Sequence, residues 1–103
     1  MGNNHALNIF PSAQADMEQI FEYIALELCN PAAAIGLIDE FEKGFENVCA
    51  FPESCPYIQN EYVKDKSLRK LVIQNYIAFY RVKAGEIQVV RVLYGMRNYE
   101  ALL

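Results

Sequence analysis

The stretch that decides the fold is Arg69-Lys70-Leu71-Val72-Ile73-Gln74-Asn75-Tyr76-Ile77-Ala78-Phe79-Tyr80-Arg81-Val82-Lys83-Ala84-Gly85-Glu86-Ile87-Gln88-Val89-Val90-Arg91-Val92-Leu93-Tyr94. Its three runs, 69–73, 76–82 and 87–94, are rich in Val, Ile, Tyr and Phe, residues that suit a pleated, half-buried surface. Gln74-Asn75 and Lys83-Ala84-Gly85-Glu86 are short enough to be hairpin turns, and Gly85 can take a positive φ without a Cβ clash. The spacing predicts an antiparallel meander of three strands. Such a sheet has an apolar face that needs cover, and the cover must come from upstream.

Upstream, residues 7–10 read as a short strand stopped by Pro11. Ser12 is the expected N-cap of a first helix, because its hydroxyl can accept from the orphan amides of the first turn. Met17, Ile20, Phe21, Ile24, Ala25 and Leu28 recur at helical spacing as one apolar stripe, with Asp16, Glu18, Glu22 and Glu27 on the other sides. Asn30-Pro31 then supplies a cap followed by proline at the first helical position. The second helix carries Ala34, Leu37, Ile38, Phe41, Phe45, Val48 and Cys49 on one face and is stopped by Pro52. With almost nothing between them, the helices should form an antiparallel hairpin. Residues 51–67 read as an irregular connection. The expected architecture is α+β, in the order β-α-α-β-β-β.

A chain of 103 residues, 53% hydrophobic and 21% charged, is expected to be a single folded domain spanning 1–103, with 1–5 disordered. No apolar run approaches the roughly 20 residues of a membrane span, and no basic region followed by an apolar stretch opens the chain. Cys29, Cys49 and Cys55 are odd in number and form no C-x-x-C pair, which argues against a disulfide framework and a zinc site. Reduced thiols and a cytoplasmic location are expected, with no membrane partner, no metal and no organic cofactor.

The net charge of −4 hides a split. Residues 1–61 hold one Lys and ten acids, a net of −9, whereas residues 62–103 hold eight Lys and Arg and three acids, a net of +5. The basic half can face a phosphate backbone or an acidic protein segment, or can simply be a solvated face. Familiar catalytic groupings are missing: the only histidine is His5, and there is no G-x-S-x-G, Walker loop or H-E-x-x-H. What stands out is Arg69, Lys70, Arg81, Arg91 and Arg97 interleaved with Tyr76, Tyr80, Tyr94 and Tyr99. Arginine grips phosphate through paired hydrogen bonds, and tyrosine stacks on bases or donates a proton.

Residues 68–82 resemble the arginine-led strand and Tyr-x-x-x-Tyr strand of the RelE/ParE toxin superfamily. Arg91-Val92-Leu93-Tyr94-Gly95-Met96-Arg97-Asn98-Tyr99 resembles that family's closing pattern. Tyr23-Ile24-Ala25, Asn30-Pro31-Ala32-Ala33 and Phe51-Pro52 agree more loosely. The resemblance implies a growth-inhibiting toxin of a type II toxin–antitoxin (plasmid stabilisation) system, held inactive by a cognate antitoxin. It also implies a target: ribosome-bound mRNA, cut RelE-fashion, or DNA gyrase, blocked ParE-fashion without nuclease activity. The first is the leading expectation, with a metal-independent endoribonuclease using Lys70, Arg97 and Tyr99 as catalytic groups and Arg69 and Arg81 as target-binding groups. Ile77 and Met96 stand where the nuclease branch often carries basic residues, which keeps gyrase inhibition open. A non-toxic interaction module is a third reading. Tyr76 and Tyr80 are assigned to sheet packing; for mid-strand Arg91, structural pairing and function are both open.

Overall fold

The computed structural model describes residues 4–96 and 99–103. Along the chain run β1 (Ala6–Ile9), α1 (Pro11–Glu22), a π-helical turn (Tyr23–Glu27), α2 (Pro31–Ala50), β2 (Arg69–Ile73), β3 (Tyr76–Lys83), β4 (Glu86–Tyr94) and a short C-terminal 3-10 turn (Glu100–Leu102). The α+β class and element order are those the sequence predicts. The sheet order is β1-β4-β3-β2, with β1 parallel to β4 and the remaining neighbours antiparallel. A β-bulge interrupts the β3–β4 register, since Phe79 faces Arg91 while Tyr80 faces Val89, leaving Val90 as the extra residue.

Local chemistry explains the ends of these elements. Ala84 and Gly85 both take positive φ, +54° and +74°, which matches the primed turns that suit twisted hairpins. Asn30 caps α2 as expected, its side chain accepting from the Ala33 N–H at 3.1 Å, with Pro31 following. Ser12 is not the cap of α1. Pro11 already occupies the first turn, where its fixed φ fits and its missing N–H is no loss, so the cap moves back to the extended Phe10. The stripe of the first helix also ends early. The Leu28 N–H bonds back to the Tyr23 carbonyl, and this widened turn rotates the remaining side chains out of phase. Leu28, expected on the buried side, is 55% exposed.

The helices cover one face of the sheet. Met17, Leu37, Phe41, Phe45 and Val48 meet Ala78, Tyr80, Ile87, Val89 and Val92 there. Phe41 stacks on Phe45 with ring centroids 6.3 Å apart and meets the Tyr76 ring edge-on at 6.2 Å. Gly44 brings α2 close to β2, since a Cβ at that position would lie 3.1 Å from side-chain carbons of both Leu71 and Ile73. The other face has its own smaller cluster: Phe79 and Leu93 from the sheet, and Ile58, Val63 and Leu68 from the connection before β2. Tyr99, Leu102 and Leu103 pack against it. The irregular connection is therefore a cover, held to β2 by a bridge between Tyr57 and Arg69. Within the expected loose N-terminus, residues 1–3 lie outside the described residues, but the His5 N–H donates to the Cys49 carbonyl at 2.9 Å. No described helix is long and apolar enough to cross a membrane.

Candidate functional site: the cation-bearing sheet

Successive strand residues point to opposite faces, and this divides the predicted residues. Arg69 is the register partner of Tyr80 and Lys70 that of Phe79, so Arg69 sits on the helix side and Lys70 on the other. Arg69 donates to the Cys55 carbonyl at 2.6 Å, and its guanidinium carbon lies 4.0 Å from the centre of the Tyr57 ring. It straps the connection onto β2. Tyr80 helps from the middle of the core, its hydroxyl donating to the Pro52 carbonyl at 2.9 Å. Burial pushes the Tyr80 phenol far above its usual range, so it stays protonated. Burial, then the phenols of Tyr23 and Tyr94, raises Tyr76 as well.

On the second face, Lys70, Phe79 and Arg91 form a cross-strand row over β2, β3 and β4. The Tyr99 ring packs on Phe79 with centroids 4.9 Å apart and planes tilted by 48°. Lys70 and Tyr99 thus adjoin the same phenylalanine, and no hydrogen bond or ion pair engages the Lys70 ammonium among the described residues. Arg97 lies outside the described residues, so its place relative to them is not assigned.

The remaining arginines are engaged at home. Arg81 donates to Gln88 Oε1 at 2.7 Å and to Asp65 at 2.9 Å. Partial burial opposes ionisation of Asp65, but the Ser67 hydroxyl and amide and the Arg81 guanidinium outweigh it and hold the carboxyl below its ordinary range. Arg91 makes a bidentate pair with Asp16, at 2.7 and 2.8 Å, and reaches the Leu102 carbonyl at 3.5 Å. Hydrogen bonding to Asp16 raises the Arg91 pKa, against partial burial. Asp16 also accepts from the Val92 N–H at 3.0 Å. That bond has a clear cause: β1 pairs with β4 only as far as Val89, and beyond it the open strand edge needs an acceptor.

Sequence reasoning missed Asp16 and Asp65, reading the first as one more solvated helix carboxylate. The available signal was indirect: a mid-strand arginine between apolar neighbours, as Arg91 is between Val90 and Val92, calls for a counter-charge. Among the described residues, this face presents one ammonium without an internal partner, that of Lys70, beside the Phe79–Tyr99 aromatic pair. The chain's one imidazole, His5, is tied by its backbone to the far end of α2, and no cluster of metal-ligating side chains occurs among the described residues.

A family profile described as the ParE toxin of the type II toxin–antitoxin system parDE matches residues 7–99. Comparison with curated protein sequences gives no match. Among solved structures, the chromosomal ParDE toxin–antitoxin system of P. aeruginosa is similar at a TM-score of 0.70 and 22% identity, covering 90% of this chain and 98% of that one. The toxin–antitoxin complex RelBE2 of Mycobacterium tuberculosis gives 0.60 at 14% identity, covering 88% and 98%. A conserved hypothetical protein of Helicobacter pylori gives 0.50 at 16% identity, covering 90% and 97%. At these identities the structures establish a shared fold, and the profile, spanning both helices and the whole meander, establishes more. The chain belongs to the ParE toxin family of type II toxin–antitoxin systems, within the RelE/ParE superfamily.

Proposed function

We propose that this toxin inhibits growth by binding DNA gyrase without cutting RNA, and that a cognate antitoxin neutralises it. The observation that carries this reading is the match of residues 7–99 to the ParE profile, which favours the gyrase branch over ribosome-dependent mRNA cleavage. The site chemistry supports it. RNA cleavage through the substrate's own 2′-hydroxyl needs a proton acceptor effective near neutral pH and positive charge delivered to the phosphate. Tyr76 and Tyr80 are shifted away from neutrality, while Arg69, Arg81 and Arg91 already serve internal acceptors. Lys70, Tyr99 and Arg97 are the target-contacting groups in this reading; Arg69 and Arg81 hold the surface in shape. The toxin–antitoxin complexes among the structural neighbours support a protein antitoxin as the second partner.

Two parallel assays test this. Purified toxin should abolish gyrase supercoiling at near-stoichiometric amounts and leave mRNA ends unchanged in a translating extract. Codon-spaced, ribosome-dependent cuts with intact supercoiling would overturn the proposal. In cells, Lys70→Ala and Arg97→Ala should each relieve growth inhibition, and Lys70→Ala should leave the unfolding midpoint nearly unchanged; full toxicity in either variant removes that residue from the target surface.

A further inference from the structure

The closed end of the helical hairpin is an uncharged stretch in an acidic half. From Tyr23 to Ile38 the only charged residue is Glu27, although residues 1–61 carry a net charge of −9. Large apolar side chains stand in water there: Leu26 is 70% exposed, Ile35 56%, and Leu28 more than half. The local backbone puts them outside. The Leu28 and Asn30 N–H groups bond back to the Tyr23 and Ile24 carbonyls, both at 3.0 Å, and the widened turn swings Leu26 and Leu28 off the buried stripe. Cys29 then takes a left-handed φ of +50°, and the chain reverses into α2. On α2 the buried side belongs to Ala34 and Leu37, which leaves Ile35 and Gly36 outside. A Cβ at Gly36 would meet nothing within 4 Å, so another surface can approach the backbone closely at this point.

We propose that this end is the contact between two copies of the chain, which join there in a weak, reversible two-fold dimer. Apolar side chains left in water favour being covered, and charge narrows what can cover them. A strongly basic or acidic partner finds only Glu27 to read at this end, so electrostatics does not draw it there. A second copy presents the same neutral, apolar surface. Further along the helices two copies repel, because Glu18, Glu22, Glu42 and Glu46 are all exposed and like charges across an interface are unfavourable. The hairpin end is therefore where two acidic bodies can touch without apposing those charges. A two-fold axis closes the contact, since the same residues of both copies then meet across it and no chain of further copies grows. Area sets the strength. The three large side chains and the exposed Pro31, Ala32 and Ala33 offer on the order of 500 Å² per copy, so a pair only reaches the roughly 1,000 Å² at which specific interfaces begin. That fits micromolar association and not a permanent dimer. The helices lie across the sheet from Lys70, so both cation-bearing faces stay open in the pair. The inference does not rest on whether the toxin strikes gyrase or the ribosome.

The test is sedimentation velocity on the full chain alone, from about 5 to 500 µM, a range that spans micromolar dissociation constants. The weight-average sedimentation coefficient should rise from that of a monomer toward that of a dimer. Raising salt from about 0.1 to 0.5 M should not weaken the association, because the contact is apolar and the surrounding charges are alike. Leu26→Asp and Ile35→Asp should each weaken it at least about tenfold, by placing an unpaired charge in the interface. Tyr62→Asp puts the same charge at an apolar side chain of similar exposure, 71%, in the connection before β2, and should change it less than about twofold. All three positions are exposed, so folding should survive, and the circular dichroism spectrum checks this. Cys29 supplies a second readout, being the exposed one of the three free thiols. A bismaleimide should join wild-type copies through it much faster than Leu26→Asp copies. A monomer throughout the concentration range overturns the proposal. So does a dimer that salt dissolves, one that Tyr62→Asp weakens as much as the hairpin variants do, or equal rates of cross-linking.

Discussion

The two faces of this sheet are closed by different means. On the helix face a cluster of thirteen buried residues is locked by α1 and α2. On the other face five of the described residues form the buried cluster, under a connection without regular strands and a short C-terminal turn. What helices do on the first face, side-chain straps do around the second. Arg69 and Tyr80 hold the connection near Cys55 and Pro52, Arg81 holds it at Asp65, and Arg91 ties α1 to the C-terminal turn. The difference teaches where each property resides. Global stability should depend on apolar volume under the helices. The shape of the cation-bearing surface should depend on a few polar contacts, and these answer to pH and salt.

The sharpest way to break this comparison is to empty the larger core. Phe41 is fully buried and touches the rings of Phe45 and Tyr76. Phe41→Ala should cost about 3–5 kcal/mol, a large share of the total stability of a domain this small. Urea denaturation should show a much lower midpoint. Deleting residues 100–103, which removes Leu102 and Leu103 from the edge of the smaller cluster, should cost less than half as much. Equal losses would mean that the two clusters act as one core.

Next in size is the strap that joins both faces. Asp16→Ala leaves Arg91 and the Val92 N–H without their shared acceptor. The Asp16 and Arg91 side chains are 11% and 24% exposed, so water compensates only in part, and the expected cost is about 2–3 kcal/mol. Adding Arg91→Ala should recover some of it, because the stranded charge is then gone. Hydrogen exchange at Val92 should accelerate in the single variant. A loss below about half a kcal/mol would show the edge cap to be idle.

Tyr80→Phe should cost about 1 kcal/mol, since the Pro52 carbonyl loses its donor while the ring remains packed. The phenol also sets the alkaline limit. Its folded pKa lies above the unfolded value of about 10, so the contribution is complete below that value and is lost as pH rises beyond it. In the wild type, absorbance near 295 nm should show this tyrosine ionising only with unfolding. A normal, fully reversible titration of all seven tyrosines would contradict the burial of Tyr80.

These cases also show what the sequence makes legible. The helix face follows from periodicity: every residue expected on the α2 stripe is buried except half-buried Ile38, because a long regular helix keeps its phase. Strand boundaries follow from composition and turn residues in the same way. The second face is different. Ile58, Val63 and Leu68 are spaced without any period, and a covering loop gives no repeating signal. The partner of β1 is set by tertiary packing, since four residues encode neither neighbour nor direction. Ala84 in a left-handed turn contradicts local preference and is imposed by the hairpin around it. For the candidate site, the residue types were visible but their division was not. Arg69 and Lys70 part because neighbouring strand residues alternate, and Arg81 and Arg91 turn inward to acids far away in sequence.

The smallest expected effect bears most directly on the second face. Asp65 and Arg81 are each 29% exposed, so the pair should contribute only about 0.5–1 kcal/mol. Its sign with pH is fixed. The folded carboxyl is held below its usual value by Ser67 and Arg81, so the native state favours the ionised form. That contribution is complete above the unfolded pKa of about 3.9 and is lost as pH falls through the lower folded value. The stability gap between wild type and Asp65→Asn should therefore stay constant from about pH 7 to 5 and close below about pH 4. Rising salt should narrow it at neutral pH, whereas the gap produced by Phe41→Ala should persist under both treatments. If both gaps respond alike to acid and salt, the polar straps are not a separate layer of the structure, and the division between the two faces loses its physical basis.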